Sequence, residues 1–139
     1  MTIQLQTALR NTMIGSYETA IGTTPKLILR SGTQPANCAA SDSGSILAIL
    51  TLPSDWVGAA SGGAVSIANG PWTGVGYANG TVGHYRLKDS TATATDNTGT
   101  TFEQGSAGTS GTDIILDNAV VAVSQAINVT SWTRTQGGA

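Results

Sequence analysis

The alternation of apolar and polar residues is strongest in Thr112–Thr135, TDIILDNAVVAVSQAINVTSWTRT. Ile and Val dominate it, and the polar pairs Asp117-Asn118 and Ser124-Gln125 interrupt it twice. Side chains branched at Cβ fit a pleated, half-buried surface. The segment therefore predicts two or three adjacent strands that close a sheet and supply much of its core. Within Ala126–Arg134, Ile127 and Val129 take the core face, so strict alternation puts Trp132 on the opposite face with Arg134. Either a bulge shifts the register there, or Trp132 faces out and needs a cover. An outward Trp beside an Arg has the character of an interface anchor.

A different period governs the N-terminus. From Gln4 to Ile21, Leu5, Leu9, Met13 and Tyr17 recur four residues apart, widened by Ala8, Ile14 and Ile21. That spacing predicts one amphipathic helix with this stripe turned to a core. Thr2 is a candidate cap, and Gly22 with Pro25 ends the helix. It either packs across a sheet or docks as an arm on a neighbouring subunit.

Short strands follow: Lys26–Ser31, Ser45–Leu52 (apolar on both faces and so covered on both), Gly63–Ala68, Trp72–Ala78, Thr81–Asp89 and Thr101–Gly105. Asn69-Gly70 and Asn79-Gly80 predict hairpin turns, because Asn-Gly tolerates the positive φ such turns require. Thr81–Asp89 points Tyr85 and Leu87 one way and His84, Arg86 and Lys88 the other. That second row is read as a solvated outer face, with a basic row meeting an acidic partner surface as the alternative. Ser90–Gly99 reads as an exposed loop. Eight or nine short strands separated by turns indicate a sandwich or barrel. The expectation is an all-β, jelly-roll-like β-sandwich of about eight antiparallel strands, with residues 1–22 forming the helix and 23–139 the sandwich in a single domain.

Composition narrows the function classes. Only 10% of the 139 residues are charged and the formal net charge is −2, against roughly 25% charged in an average soluble protein. Such a surface suits packing against other protein in an assembly, and it also suits a very stable extracellular β-fold. No basic stripe is present to neutralise phosphates, so nucleic acid is not an expected partner. No apolar run approaches the ~20 residues that span a bilayer, and the start, MTIQLQTALRN, lacks the layout of a secretory signal. A membrane is not expected either.

Candidate chemistry is sparse. Cys38 is the lone cysteine and His84 the lone histidine, too few for a zinc site, and no G-x-S-x-G elbow accompanies them. Asp89 with Asp96 and Asn97 lacks the alternating spacing of a calcium loop. Asp55, Asp89, Glu103, Asp113 and Asp117 offer carboxylates for glycoside hydrolysis, but nothing favours one pair. Trp56, Trp72 and Trp132 suit either a sugar platform or a core. No enzyme activity, metal or cofactor is expected.

Several segments together carry a resemblance: LQTALRNTMI, KLILRSGTQP, SILAILTL, VGHYRLKDS, DIILDN and the closing INVTSWTRT. Their combination resembles small jelly-roll virion proteins of tailed bacteriophages, the capsid cement or decoration proteins. The resemblance implies a non-enzymatic protein on the outer capsid surface, made in the host cytoplasm. Its implied partners are the major capsid protein and itself, as a homodimer or homotrimer. Trp132, Arg134, His84, Arg86 and Lys88 are the candidate contact residues. The alternative is a tail module that recognises a host glycan or receptor through Asn37–Ser43 and Thr91–Gly99.

Overall fold

A computed structural model describes residues 2–93 and 98–139. Two short helices, α1 (Thr7–Gly15) and α2 (Tyr17–Ile21), precede nine strands. These are β1 (Lys26–Ser31), β2 (Ile46–Thr51), β3 (Ala64–Ser66), β4 (Trp72–Gly76), β5 (Gly80–Lys88), β6 (Thr101–Gly108), β7 (Ile114–Leu116), β8 (Val120–Val121) and β9 (Ala126–Thr135).

The strands pair in the order β1-β2-β4-β9-β7-β6-β5, and β5 pairs back with β1. Seven strands thus close into a barrel, which removes the free sheet edges that an open sheet must protect. The protein is all-β, but it differs in two ways from the expected two-sheet antiparallel sandwich. The sheet closes on itself, and β6 and β7 run parallel. The loop expected at Ser90–Gly99 lies partly outside the described residues.

Neither Asn-Gly pair makes a hairpin. β3 pairs with β9, β4 with β2 and β9, and β5 with β1, β6 and β8, so β3, β4 and β5 never pair consecutively. The Asn side chains hold distant backbone instead: Asn69 Nδ2 donates to the Asp55 carbonyl at 2.8 Å and Asn79 Oδ1 accepts the Val123 N–H at 3.1 Å.

The barrel interior holds Leu27, Leu29, Leu50, Tyr85, Leu87, Ile127, Val129 and the three tryptophans. Trp56, Trp72 and Trp132 pack with centroids 5.5–5.9 Å apart, tilted or edge-on, geometries that aromatic quadrupoles favour. Tyr17 of α2 closes this cluster with its ring centroid 5.5 Å from Trp132.

The predicted single helix breaks at Ser16 and begins at Thr7, with no side-chain cap. Its orientation also differs from the expected one. Arg10 and Ile14 are the buried residues of α1, while Leu9 and Met13 stay exposed. One residue is about 100° of helix, so the buried face has moved off Leu9 and Met13 toward Ile14, which lay at the edge of the predicted stripe and packs in the core with Tyr17 and Ile21 against it. Polar anchors explain this. Arg10 Nε and Nη2 donate to the Gln136 carbonyl at 3.0 and 2.7 Å, Asn11 Oδ1 accepts the Gly63 N–H at 2.7 Å, and Leu5 N–H donates to the Gly138 carbonyl at 2.7 Å. The C-terminal segment therefore sets how the helix sits.

Candidate functional site

The five residues singled out from sequence fall into two internal networks, one outside the barrel wall and one inside it. His84, Arg86 and Lys88 occupy the outward face of β5, as alternation predicts. They are nevertheless buried. Residues 32–45, between β1 and β2, form a strap whose Asn37–Asp42 part is bound to these side chains. The expected solvated face is corrected: the row meets an acidic group, but that group is Asp42 of the same chain. Alternation fixes which way a side chain points and says nothing of what covers it.

Asp42 is the centre of the outer network. Its Oδ2 accepts from Lys88 Nζ at 2.6 Å and from Arg30 Nη2 at 3.3 Å, and its Oδ1 accepts from Arg86 Nη1. Arg86 also donates to the strap carbonyls of Asn37 and Ala40 at 2.9 Å and of Cys38 at 3.2 Å, and to Gln104 Oε1. Five donors in a rigid fork let one guanidinium fasten several carbonyls at once. Gln104 Nε2 adds a bond to the Pro35 carbonyl at 2.7 Å. Burial alone would raise the Asp42 carboxyl. Hydrogen bonds from Lys88 and Arg86 and the charge of Arg30 outweigh it and hold the group below its usual range.

His84 sits at the root of the strap. Its Nδ1 lies 2.9 Å from the Gly32 carbonyl oxygen, an acceptor only, so Nδ1 carries the proton. Nε2 is then a bare lone pair, buried without a hydrogen-bond partner among the described residues. Burial pushes the imidazole below its ordinary value, and the charges of Arg30 and Arg86 push the same way. Gly83, the residue before it, must lack a Cβ because the Gly32 backbone occupies that space.

The inner network centres on Glu103. Its carboxylate accepts from the hydroxyls of Tyr17 and Tyr85, from Trp132 Nε1 at 3.1 Å, and from Arg134 Nε at 2.9 Å and Nη2. The Arg134 guanidinium also lies over the Trp132 ring, 5.0 Å from its centroid, a cation–π contact. Burial would raise Glu103, but Arg134 and the tyrosine hydroxyls hold it below its usual value. The β6 strand is thus inverted relative to hydrophobicity, with Glu103 inside and Phe102 exposed. Gly105, the cross-strand partner of Tyr85, makes room: a Cβ there would lie 2.9 Å from the Tyr85 ring.

Trp132 is 1% exposed, which corrects the expectation of an outward anchor. The bulge is the alternative that holds. Leu116 pairs with Val129 and Ile115 with Ser131, so β9 slips by one residue there. Thr130 and Ser131 are both exposed, and alternation restarts with Trp132 inside. Arg134 follows on the same face and reaches Glu103. None of the five candidates offers an exposed contact surface of its own.

Sequence reading missed Arg30, Asp42, Glu103, Tyr17 and Tyr85 as network members. One signal was available: Glu103 alternates with Gly105 and Ala107, and a charged residue in register with small ones points to an inward position facing something large. Three other carboxylates close turns. Asp89 Oδ2 accepts the Thr100 N–H at 2.8 Å, Asp113 Oδ2 accepts the Ser106 N–H at 2.8 Å, and Asp117 accepts from Asn128 N–H and Nδ2 at 2.9 and 2.7 Å. Asp96 and Asn97, considered with Asp89 for calcium, lie outside the described residues. Among the described residues no group of three or more His, Cys, Asp or Glu is placed to hold a metal ion.

Exposed apolar residues lie elsewhere. Val75, Tyr77, Val120 and Val123 are 53–60% exposed. Gly76 between the first two bonds to Ser124 and Gln125 of the β8–β9 turn, so this strand and turn adjoin. Val75 is also in register with Ile49 and Ala126, giving an outward apolar row across β2, β4 and β9. Among the described residues no helix is long and apolar enough to cross a membrane. No protein-family model, curated protein or solved structure matches the chain.

Proposed function

We propose that this is a non-enzymatic structural protein of a tailed-bacteriophage virion, a cement or decoration protein that binds assembled major capsid protein. The phage assignment rests on the resemblance of its segments. The observation that carries a contact role is the apolar row Ile49–Val75–Ala126 with Tyr77 and Val123 beside it, uncharged and on the outside of a closed barrel. Scattered single apolar residues need no explanation, whereas a contiguous set marks an interaction surface. The reading does not require the two-sheet jelly roll of the resemblance, because a closed barrel presents an outer face equally well. The candidate residues Trp132, Arg134, His84, Arg86 and Lys88 support the contact indirectly, by holding the barrel and its strap in shape.

The test is sedimentation of purified protein with phage heads that lack it. Pelleting at a fixed copy number per head is expected, with Val75→Asp abolishing it while the melting temperature stays put. Failure to pellet, with binding to host cells instead, would overturn this reading in favour of a tail recognition module.

A further inference from the structure

The strap is fastened by charge, and the chain's one histidine lies beneath its root. Described groups facing His84 are Arg30 from β1, Arg86 from its own strand, Asp42 from the strap and uncharged Ser106 from β6; Lys88, further along β5, shares Asp42 with the two arginines. Three cations thus share one described carboxylate, and two of them, Arg30 and Arg86, act on a buried imidazole whose Nε2 has no partner among the described residues. A proton added at Nε2 would place a fourth positive charge in a space without a described acceptor for it. The Nδ1–H bond to Gly32 survives that protonation, so the cost is one of charge and burial rather than of a lost bond.

We propose that residues 32–45 form an acid-released strap: its opening is linked to uptake of one proton by His84, and opening bares the Arg30, His84, Arg86 and Lys88 row. This goes beyond the capsid reading and holds whatever the protein binds. In the closed state His84 is neutral and roofed, and in the open state it is an ordinary hydrated imidazole. The group's value is depressed when closed, so the closed state is favoured fully above the ordinary imidazole value of about 6.5 and progressively less below it. Uptake of one proton raises the open fraction by about tenfold per pH unit below that point, for as long as the closed form stays neutral. Asp42, also depressed, adds a second loss only in the acidic carboxylate range. His84 therefore acts first.

Hydrogen exchange of the intact protein, corrected for the chemical exchange rate, tests this at pH 7.5 and 5.5. The expected result is a loss of strap protection approaching tenfold in the wild type and no such loss in His84→Gln. The β1, β5 and β9 amides should keep theirs, as should the fluorescence of the buried tryptophans. Unchanged strap protection in the wild type, an equal loss in His84→Gln, or simultaneous loss in the barrel strands would overturn the proposal. Should His84→Gln fail to fold, the imidazole NMR signal of the wild type decides. Its protonation in step with strap exchange supports the linkage, and protonation with the strap still protected refutes it.

Discussion

Asp42 and Glu103 are both carboxylates withdrawn from water, and the difference between their settings separates what fixes this barrel from what is fastened onto it. Glu103 sits on a strand, and its partners Tyr17, Tyr85, Trp132 and Arg134 come from α2, β5 and β9. One full positive charge and several neutral donors satisfy it. Asp42 sits on the strap between strands, and its side-chain partners are three cations on β1 and β5. Removing the first disturbs the packing of the core aromatics. Removing the second should loosen a cover and leave the barrel ladders in place. A buried ion pair is thus a statement about the element that carries it.

The largest effects should come from the inner network. Glu103→Ala leaves Arg134 facing the core without its counter-charge, and breaking such a pair costs about 3–5 kcal/mol. Trp132→Ala removes a fully buried ring and should cost a similar ~3–5 kcal/mol. Urea unfolding followed by tryptophan fluorescence measures the first, and circular dichroism the second. A change below about 1 kcal/mol for Trp132→Ala, far under the usual price of a core cavity, would restore the outward-anchor reading.

Asp42→Asn takes the counter-charge from three buried cations, which would cost about 3–5 kcal/mol were the strap to stay closed; because the strap can open locally, the global loss should be smaller and should concentrate in residues 32–45. Hydrogen exchange mapped along the chain distinguishes the two carboxylates directly. If Asp42→Asn unprotects β9 as strongly as the strap, the contrast between core and cover fails.

Alkaline pH gives the smallest and most graded effect. Burial foremost, then the Glu103 charge and hydrogen bonding, push the Tyr17 and Tyr85 hydroxyls above their ordinary value near 10. With the folded value raised, their contribution is complete below pH 10 and is lost as pH rises through the folded values. Denaturation midpoints at pH 8 and pH 11 should therefore fall, and less steeply in Tyr17→Phe.

Much of the secondary structure is legible in the sequence, and little of its pairing is. Lys26–Ser31 is a strand with those bounds, and the strands around Ile46–Thr51, Trp72–Gly76 and Gly80–Lys88 stand within two residues of expectation, because β-branched alternation is a local signal. The Asn-Gly pairs misled because a turn signal does not say which strands pair. The helix stripe misled because Arg10, Asn11 and Leu5 bind backbone at Gln136, Gly63 and Gly138, contacts remote in sequence. The basic row misled for the same reason: Asp42 stands far from Arg86 along the chain, in a loop of small residues. The bulge at Thr130-Ser131 was legible as one of two alternatives, and only the paired strand β7 decides between them.

The most direct test of these charges as internal staples is the NMR titration of His84, the chain's one imidazole. The buried, strap-covered geometry predicts a protonation midpoint below the ordinary value of about 6.5 and a neutral form carrying its proton on Nδ1. A midpoint at that ordinary value, with the mixed tautomers of a free side chain, would mean that the row faces solvent and that the strap does not cover it.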